Sequence, residues 1–492
     1  MSLVERGGAA PHPPPPPLLR RSESSSGASL DPAEATRKLV HVAVGGFAFL
    51  LRVLTWPQAV LMAVAAFLFN WQILPRIGGK GLWRGSEHAK GYPLGILLYP
   101  LSVLALILVF RNALWMAAAV WGILAFGDGM ATLIGRAAGG ARLPWNPQKG
   151  WVGLVAFVIF GTIGASLLVT WTRYLPLAAW ASSQVLCIVV PLAVICALAE
   201  SIPTTLNDNL TVPLVGGLVL PLLAQIEPRI LTEDPALPNR LLLGLVMNGV
   251  FAGLARRAGS IDGPGALSAV VIGTAITAGL GLPGLAIMVA FFVIGSAATK
   301  LGYRIKASRG IAQEKGGARG WRNAWANGGV PAFLALIAAM SLPGLRDLLA
   351  LAYAAAVATA AADTCSSEIG KAYGRRTLLI TTLRPVPPGT EGAVSLEGTA
   401  GGFLGGLLVA SVGAVVGLYG WAAAMLVAVA GLLGSLAESV IGTVAERRGW
   451  MGNDLLNALN TAIGAALAVL LVHWFSRFGA STLQTVARET GL

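Results

Sequence analysis

Six carboxylates stand at or beside the ends of otherwise uncharged apolar runs: Asp128, Glu200, Asp208, Asp363, Glu368 and Glu438. A charge in such a place is costly and is usually paired or functional. Taken singly, each has a structural reading as a helix-end charge or a salt-bridge partner. Taken together with nearby basic residues, amides and glycines, they match what phosphoryl transfer from a nucleotide requires. Carboxylates and amide oxygens hold Mg2+, basic side chains neutralise a triphosphate, and glycine lets backbone N–H groups approach phosphate oxygens.

In the first half the candidate metal ligands are Asp128, Glu200, Asp208 and Asn209, and the candidate phosphate contacts are Arg37, Lys38, Gly127, Arg136, Asn146 and Lys149. In the second half the candidate ligands are Asp363, Glu438 and Asp454, with Asp363 and Glu368 as candidate catalytic acids. The phosphate candidates there are Lys300, Lys315, Arg319, Arg322, Gly389 and Thr390. Among Asn323, Asn327, Asn453, Asn457 and Asn460, Asn327 is the amide favoured for metal or nucleotide, although asparagines also hydrogen-bond between membrane helices. For an alcohol substrate, His41 is a candidate base, in competition with Asp128 and Asp208, and a capping or hydrogen-bonded histidine is the alternative. Neither GxxxxGK[ST] nor an HRD/DFG set is present, so a nucleotide site here belongs to another kind of enzyme.

The elements that must hold these residues are apolar. Of 492 residues, 55% are hydrophobic and 12% charged, and the mean hydropathy is +0.72. Runs such as 94–110, 151–171, 178–199, 399–418 and 456–475 are each near the roughly 17–25 residues that span a bilayer. About fifteen such runs predict an all-α polytopic membrane protein in two related bundles. The 62 glycines are expected at close helix contacts. Residues 1–33 are Pro- and Ser-rich and read as a disordered tail. With no cleavable leader pattern after it, the first span is expected to act as the membrane signal. Cys187, Cys196 and Cys365 and four scattered histidines support neither a disulfide framework nor a zinc site. The net charge of +13 reads as topology plus anion binding, because alternating spans from a cytoplasmic N-terminus gather the basic clusters on one face. No nucleic-acid partner is expected. The candidate sites fall on that cytoplasmic face.

A polar stretch at 226–240 divides 34–225 from 241–492, and both halves follow one plan. In the first, GDGMATLIGR (127–136), the loop LPWNPQKGWVG (143–153) and AESIPTTLNDN (199–209) follow in order. In the second come ADTCSSEIGKAYGRR (362–376), TTLRPVPPGTEGAVSLEGT (381–399) and AESVIGTVAERRGWMGNDLLN (437–457). Asp128 precedes Glu200 by 72 positions (200 − 128), and Asp363 precedes Glu438 by 75 (438 − 363). This suggests a duplication in which both copies keep one membrane orientation.

EATRKLVHVAVG (34–45), with GDGMATLIGR, NPQKGWVG and ESIPTTLNDNLTVP (200–213), resembles the phytol kinase and dolichol kinase family. That resemblance implies transfer of a phosphate from CTP or a related nucleotide to a long-chain isoprenoid alcohol. Gly150 departs from it, since such enzymes usually carry Ser or Thr after the lysine. FFVIGSAATKLGYRIK (291–306), EKGGARGWRNAWANGG (314–329), ADTCSSEIG and ESVIGT…NDLLNALNT (438–461) resemble the plant phytyl-phosphate kinases and their uncharacterised transmembrane relatives. This second resemblance implies conversion of an isoprenyl monophosphate to the diphosphate. Glu438 stands where that family commonly shows aspartate.

A bifunctional fusion kinase is therefore expected, working on membrane lipid. An anionic monophosphate needs its repulsion from the nucleotide cancelled, so the second site is expected to be the more basic, through the cations of the 300–322 loop. The rival readings are a lipid-phosphate cytidylyltransferase, distinguished by a nucleotide-linked product, and an isoprenoid-phosphate transporter or flippase, which would place charges near the midplane rather than at one face.

Overall fold

A computed structural model describes residues 32–77, 79–83, 87–88, 91–313, 318–445 and 448–478. The chain is an all-α polytopic membrane protein. Among the described residues, nine helices are long and apolar enough to cross a membrane, and Leu94–Val109 and Asp208–Leu223 are shorter apolar helices. The count differs from the fifteen apolar runs because several runs are broken by local turns, and one helix is long enough for two passes. Gly263–Lys300 has 38 residues, about 57 Å at ~1.5 Å per residue, nearly twice the ~30 Å of a hydrocarbon core. It bends at Gly281, whose φ of 65° is open to glycine at little cost.

Each half repeats one order of elements. In the first, Leu114–Ala138 leads to an antiparallel hairpin of Arg142–Leu143 and Asn146–Gly150, then to the helices Trp151–Thr172, Ser183–Ser201 and Asp208–Leu223. In the second, Pro343–Tyr373 leads to a hairpin of Leu378–Leu379 and Ala393–Val394, then to Leu396–Val415, Trp421–Ala445 and Asn453–Phe478. Among the described residues, the two small hairpins and isolated bridges, one of them between Ile261 and Arg319, are the strand structure in an otherwise helical fold.

Water is absent from a bilayer core, so helices there associate through packing rather than through a hydrophobic drive, and small residues bring backbones close. The second bundle is built this way. Its axis is Pro343–Tyr373, whose residues from Leu349 to Ala362 are all buried. Around that axis, a Cβ at Gly405 would meet Cys365, one at Gly431 would meet Ala358, and those at Gly434 and Gly464 would meet Thr359. In the first bundle the matching buried stretch is Ala117–Ala125.

The acid-bearing helix and the helix after the hairpin also touch backbone to backbone. A Cβ at Gly135 would lie 2.9 Å from the Gly153 Cα, and one at Gly398 would lie 2.7 Å from the Ser366 carbonyl oxygen and 3.2 Å from the Gly370 Cα. Gly398→Val is expected to destabilise the protein by about 1–3 kcal/mol through overpacking. Gly249→Ala, on an exposed helical stretch with open space at the Cβ position, is expected to be neutral or to stabilise by up to ~1 kcal/mol. Thermal unfolding in detergent checks both, and equal losses would mean that the glycine contact does not matter.

Candidate functional sites

In the first half Asp128 closes a π-helical turn, Ile123–Asp128, inside the long helix; the widened turn displaces the following residues around the helix axis. The Asp128 side chain is 2% exposed and accepts two hydrogen bonds from the Lys38 ammonium, at 2.7 and 2.8 Å. His41, one turn beyond Lys38, donates through Nε2 to the Leu124 carbonyl at 3.0 Å and lies 3.5 Å from Asp128 Oδ2. Lys149, at the end of the hairpin, is ion-paired with Glu200 and bonded to its carbonyl. Asp208 is the first residue of its helix, where the Asn207 side chain caps the Asn209 N–H at 3.0 Å. Oxygens of Asp128, Glu200 and Asp208 all lie within 4.8 Å of one another. Three hard oxygen donors at that spacing fit Mg2+, with the remaining positions left to water or phosphate.

A polar cavity of about 570 Å3 opens beside these acids and is lined by five cations: Arg37, Lys38, Arg136, Arg142 and Lys149. Gly150 and Gly153, at the start of Trp151–Thr172, line it as well, so the N-terminus of that helix borders the same space, its first N–H, of Trp151, being donated to the Ala141 carbonyl at 3.0 Å. Arg136 is ion-paired with Glu34, which also lies 3.5 Å from Arg37.

Two expected phosphate contacts are placed elsewhere. Gly127 lies against Phe157, its Cβ position 2.9 Å from that ring, so it serves helix packing. Asn146 is buried, donates to the Ser201 carbonyl at 3.0 Å and accepts from the Gln148 N–H at 3.1 Å, so it positions the hairpin. The Asn209 amide is used by the Gly95 carbonyl, at 2.8 Å.

The second half builds its site on the same positions. Asp363 and Glu438 line one cavity, so the two carboxyls come together in the second site. Asn460 donates to Glu438 at 2.7 Å, while its own buried Oδ1 has no hydrogen-bond partner. An orphaned buried oxygen beside two carboxyls is a donor set that fits a divalent cation. A cavity of about 230 Å3 is lined by Asp363, Glu438, Arg319, Asn327, Gly389 and Thr390 among others, so these six candidates come together. Gly389 holds φ at +88°, a value that favours glycine.

Other expectations for this half are corrected. Glu368 does not line the cavity; it is 2% exposed and ion-paired with Lys306, which also donates to the Thr299 carbonyl at 2.7 Å. Asp454 and Lys300 are exposed and outside the lining, and Arg322 stacks over Trp321 at 5.4 Å. Lys315 lies outside the described residues. Among the described residues the second cavity does not gather the more cations: it is lined by two, Arg319 and Lys371, against five in the first. The loop cations are used otherwise: Lys306 in the buried pair, Arg309 on the Lys371 carbonyl at 2.7 Å, and Arg304 toward the exterior.

A helical pattern that reading by residue type passes over joins the two sites. From Asp128, the residues at +3, +4, +7 and +8 are Ala131, Thr132, Gly135 and Arg136, and all four line the first cavity. From Asp363 they are Ser366, Ser367, Gly370 and Lys371, and all four line the second. These spacings put each set on one helix face. Gly150 and Ser395 hold equivalent places, each just before the helix that follows its hairpin. Both are N-caps, but only Ser395 has a side chain to use, accepting from the Gly398 N–H at 3.1 Å.

A family profile described as integral membrane protein DUF92 matches residues 246–465. An uncharacterised membrane protein of Synechocystis is 43% identical over 200 residues, 40% of this chain and 78% of the relative. The chain belongs to the DUF92 family. The chloroplastic protein VTE6 of Arabidopsis thaliana is 36% identical over 216 residues, 43% of this chain and 65% of the relative. A probable phytol kinase of wheat chloroplasts, from Triticum aestivum, is 29% identical over 202 residues, 37% of this chain and 65% of the relative. No solved structure matches the chain. The DUF92 match contains the whole second site from Arg319 to Asn460.

Within that DUF92 region, Glu368→Ala is expected to cost about 3–5 kcal/mol because it strands the Lys306 ammonium. Replacing both partners, as in Lys306→Met with Glu368→Leu, is expected to recover most of it. Thermal unfolding of the two variants decides this, and a stable Glu368→Ala protein would contradict the buried pair.

Proposed function

We propose that this protein is a membrane phosphotransferase that converts an isoprenoid alcohol to its monophosphate at the first site and the monophosphate to the diphosphate at the second. CTP or another nucleoside triphosphate is the donor, and both sites lie on the cytoplasmic face. One observation carries the reading: three carboxylates converge beside a polar cavity ringed by five cations and a helix N-terminus. The wheat relative's name as a probable phytol kinase supports the substrate class. The repetition of the acid-bearing face in both halves supports two reactions of one kind. The assignment of the second step to 241–492 rests on resemblance to phytyl-phosphate kinases and not on charge, since among the described residues fewer cations line that cavity.

Mg2+, held by Asp128, Glu200 and Asp208 in one site and by Asp363, Glu438 and amide oxygen in the other, would screen the triphosphate and the charge that spreads over the transferred group. Lys38 and Lys149 hold the carboxylates in register. Arg37, Arg136 and Arg142 face the cavity where phosphate oxygens lie in this reading. The N-terminus of Trp151–Thr172 adds backbone donors. In the second site Ser395 occupies that cap, and Arg319 and Lys371 supply positive charge. Catalysis here is positioning and electrostatics, as loose phosphoryl transfer allows.

Purified protein with Mg2+ and a nucleoside triphosphate is expected to turn labelled prenyl alcohol into the diphosphate. Asp128→Ala should block the alcohol step and spare phosphorylation of added monophosphate, whereas Asp363→Ala should make monophosphate accumulate. A well-folded pair of variants that lose both steps alike would refute the two-site division, and a nucleotide-linked lipid product would favour cytidylyl transfer. Chelation should stop both steps, and Mg2+ should restore them, as scored by product chromatography.

A further inference from the structure

A second, smaller cavity of about 120 Å3 adjoins the first site. Arg37, Lys38, Leu82 and Asp208 line both cavities. Beyond that shared wall the surroundings change character. The large cavity is bounded mostly by charged and polar groups, whereas the small one is walled by Val40, Val44, Leu74, Ile96 and Tyr99, with Asp128 and His41 at its polar end. Val40 on Pro32–Gly45 is 41% exposed, so the apolar wall reaches the outer surface of the bundle. The two spaces thus meet along the acids: Asp128 lines only the small one, Glu200 only the large one, and Asp208 lines both.

We infer that the small cavity is the seat of the prenyl alcohol's hydroxyl end, with its chain leaving along Val40 and Val44 toward the bilayer. The inference rests on the proposed kinase reading of this site and adds where the acceptor sits. In phosphoryl transfer the attacking and leaving oxygens lie roughly in line across phosphorus, so acceptor and donor must approach from opposite sides. A mainly apolar space bordered by Asp128 and a cationic space bordered by Glu200, with Asp208 between them, suit that requirement, and each matches the chemistry of its occupant. A chain of methyl-branched hydrocarbon gains from an apolar wall, and a triphosphate does not. The step balances simply: the alcohol oxygen forms a bond to the terminal phosphorus, the bond from that phosphorus to the bridging oxygen breaks, the nucleoside diphosphate leaves with the electron pair, and the hydroxyl proton passes to the water of the polar cavity.

Two measurements on the full-length protein in detergent or nanodiscs test this. A prenyl alcohol bearing a diazirine near its hydroxyl end is irradiated with the wild-type protein without nucleotide, and the labelled peptides are sequenced. Label on 40–44 and 96–99, reduced by excess unlabelled alcohol, is expected. Specific label confined to other segments would overturn the assignment, as would absence of competable label. In parallel, Val44→Trp is expected to raise KM for a long prenyl alcohol about 10-fold or more, a pocket-filling effect, with KM for the nucleotide unchanged. An unchanged KM for the alcohol in a folded Val44→Trp protein also counts against it, and if that variant does not fold the labelling alone decides. Competable label at 40–44 and 96–99 in a protein that transfers no phosphate would keep the lipid seat and discard the kinase reading.

Discussion

Two backbones can approach to glycine distance only if no side chain stands between them, and in this protein that approach sets the geometry of both sites. Gly135 against Gly153, and Gly370 against Gly398, lock the acid-bearing helix to the helix that follows the hairpin. Once these contacts form, the start of the second helix must open beside the aspartate one to two turns back along the first. The hairpin, tied at both ends, then folds over the same space. Close packing in a medium without a hydrophobic drive and donors for an anion thus come from one contact. Widening it would move the helix N-terminus away from the carboxylates and empty the site of its geometry.

Much of this was legible in the residues because polar groups in an apolar chain are conspicuous. Asp128, Glu200 and Asp208 stand out by charge alone and do converge, and so do Asp363 and Glu438. What charge cannot show is whether a group faces a cavity or a partner. Glu368 looks the equal of Asp363 in the string ADTCSSEIG, yet five positions along an α-helix are about 500°, or some 140° around the axis, so the two carboxylates point to different sides. The residues that share the face of Asp363 are Ser366, Ser367, Gly370 and Lys371, of which the serines and glycine draw no notice by type. The number of spans was harder to read because an apolar run carries no mark of where it turns. Gly281 makes that turn through one positive φ among dozens of unremarkable glycines.

The halves differ in how they neutralise their acids. The first uses lysines, Lys38 on Asp128 and Lys149 on Glu200. In the second, Asn460 donates to Glu438, and Arg319 and Lys371 line the cavity that Asp363 and Glu438 share. The first cavity thus carries its own counter-charge to the acids, whereas the second, among the described residues, sets fewer cations beside its own.

The halves also meet through the segments that carry these groups. Trp145, at the turn of the first hairpin, bonds Ser201 through its indole N–H and stacks edge-on near Trp321 at 6.5 Å. Trp321 opens the helix that bears Asn323 and Asn327. The loop before Asp208 bonds the loop before Asn453, Thr204 Oγ1 to the Trp450 carbonyl at 2.8 Å and Thr205 Oγ1 to the Gly449 carbonyl at 3.1 Å. The threonine bonds tie the loop that leads into Asp208 to the loop that leads into Asn453, so a displacement of 202–207 that carried Asp208 would strain bonds held by 449–450. Two loops each bonded only within its own half would leave the sites independent, and here the bonds run across.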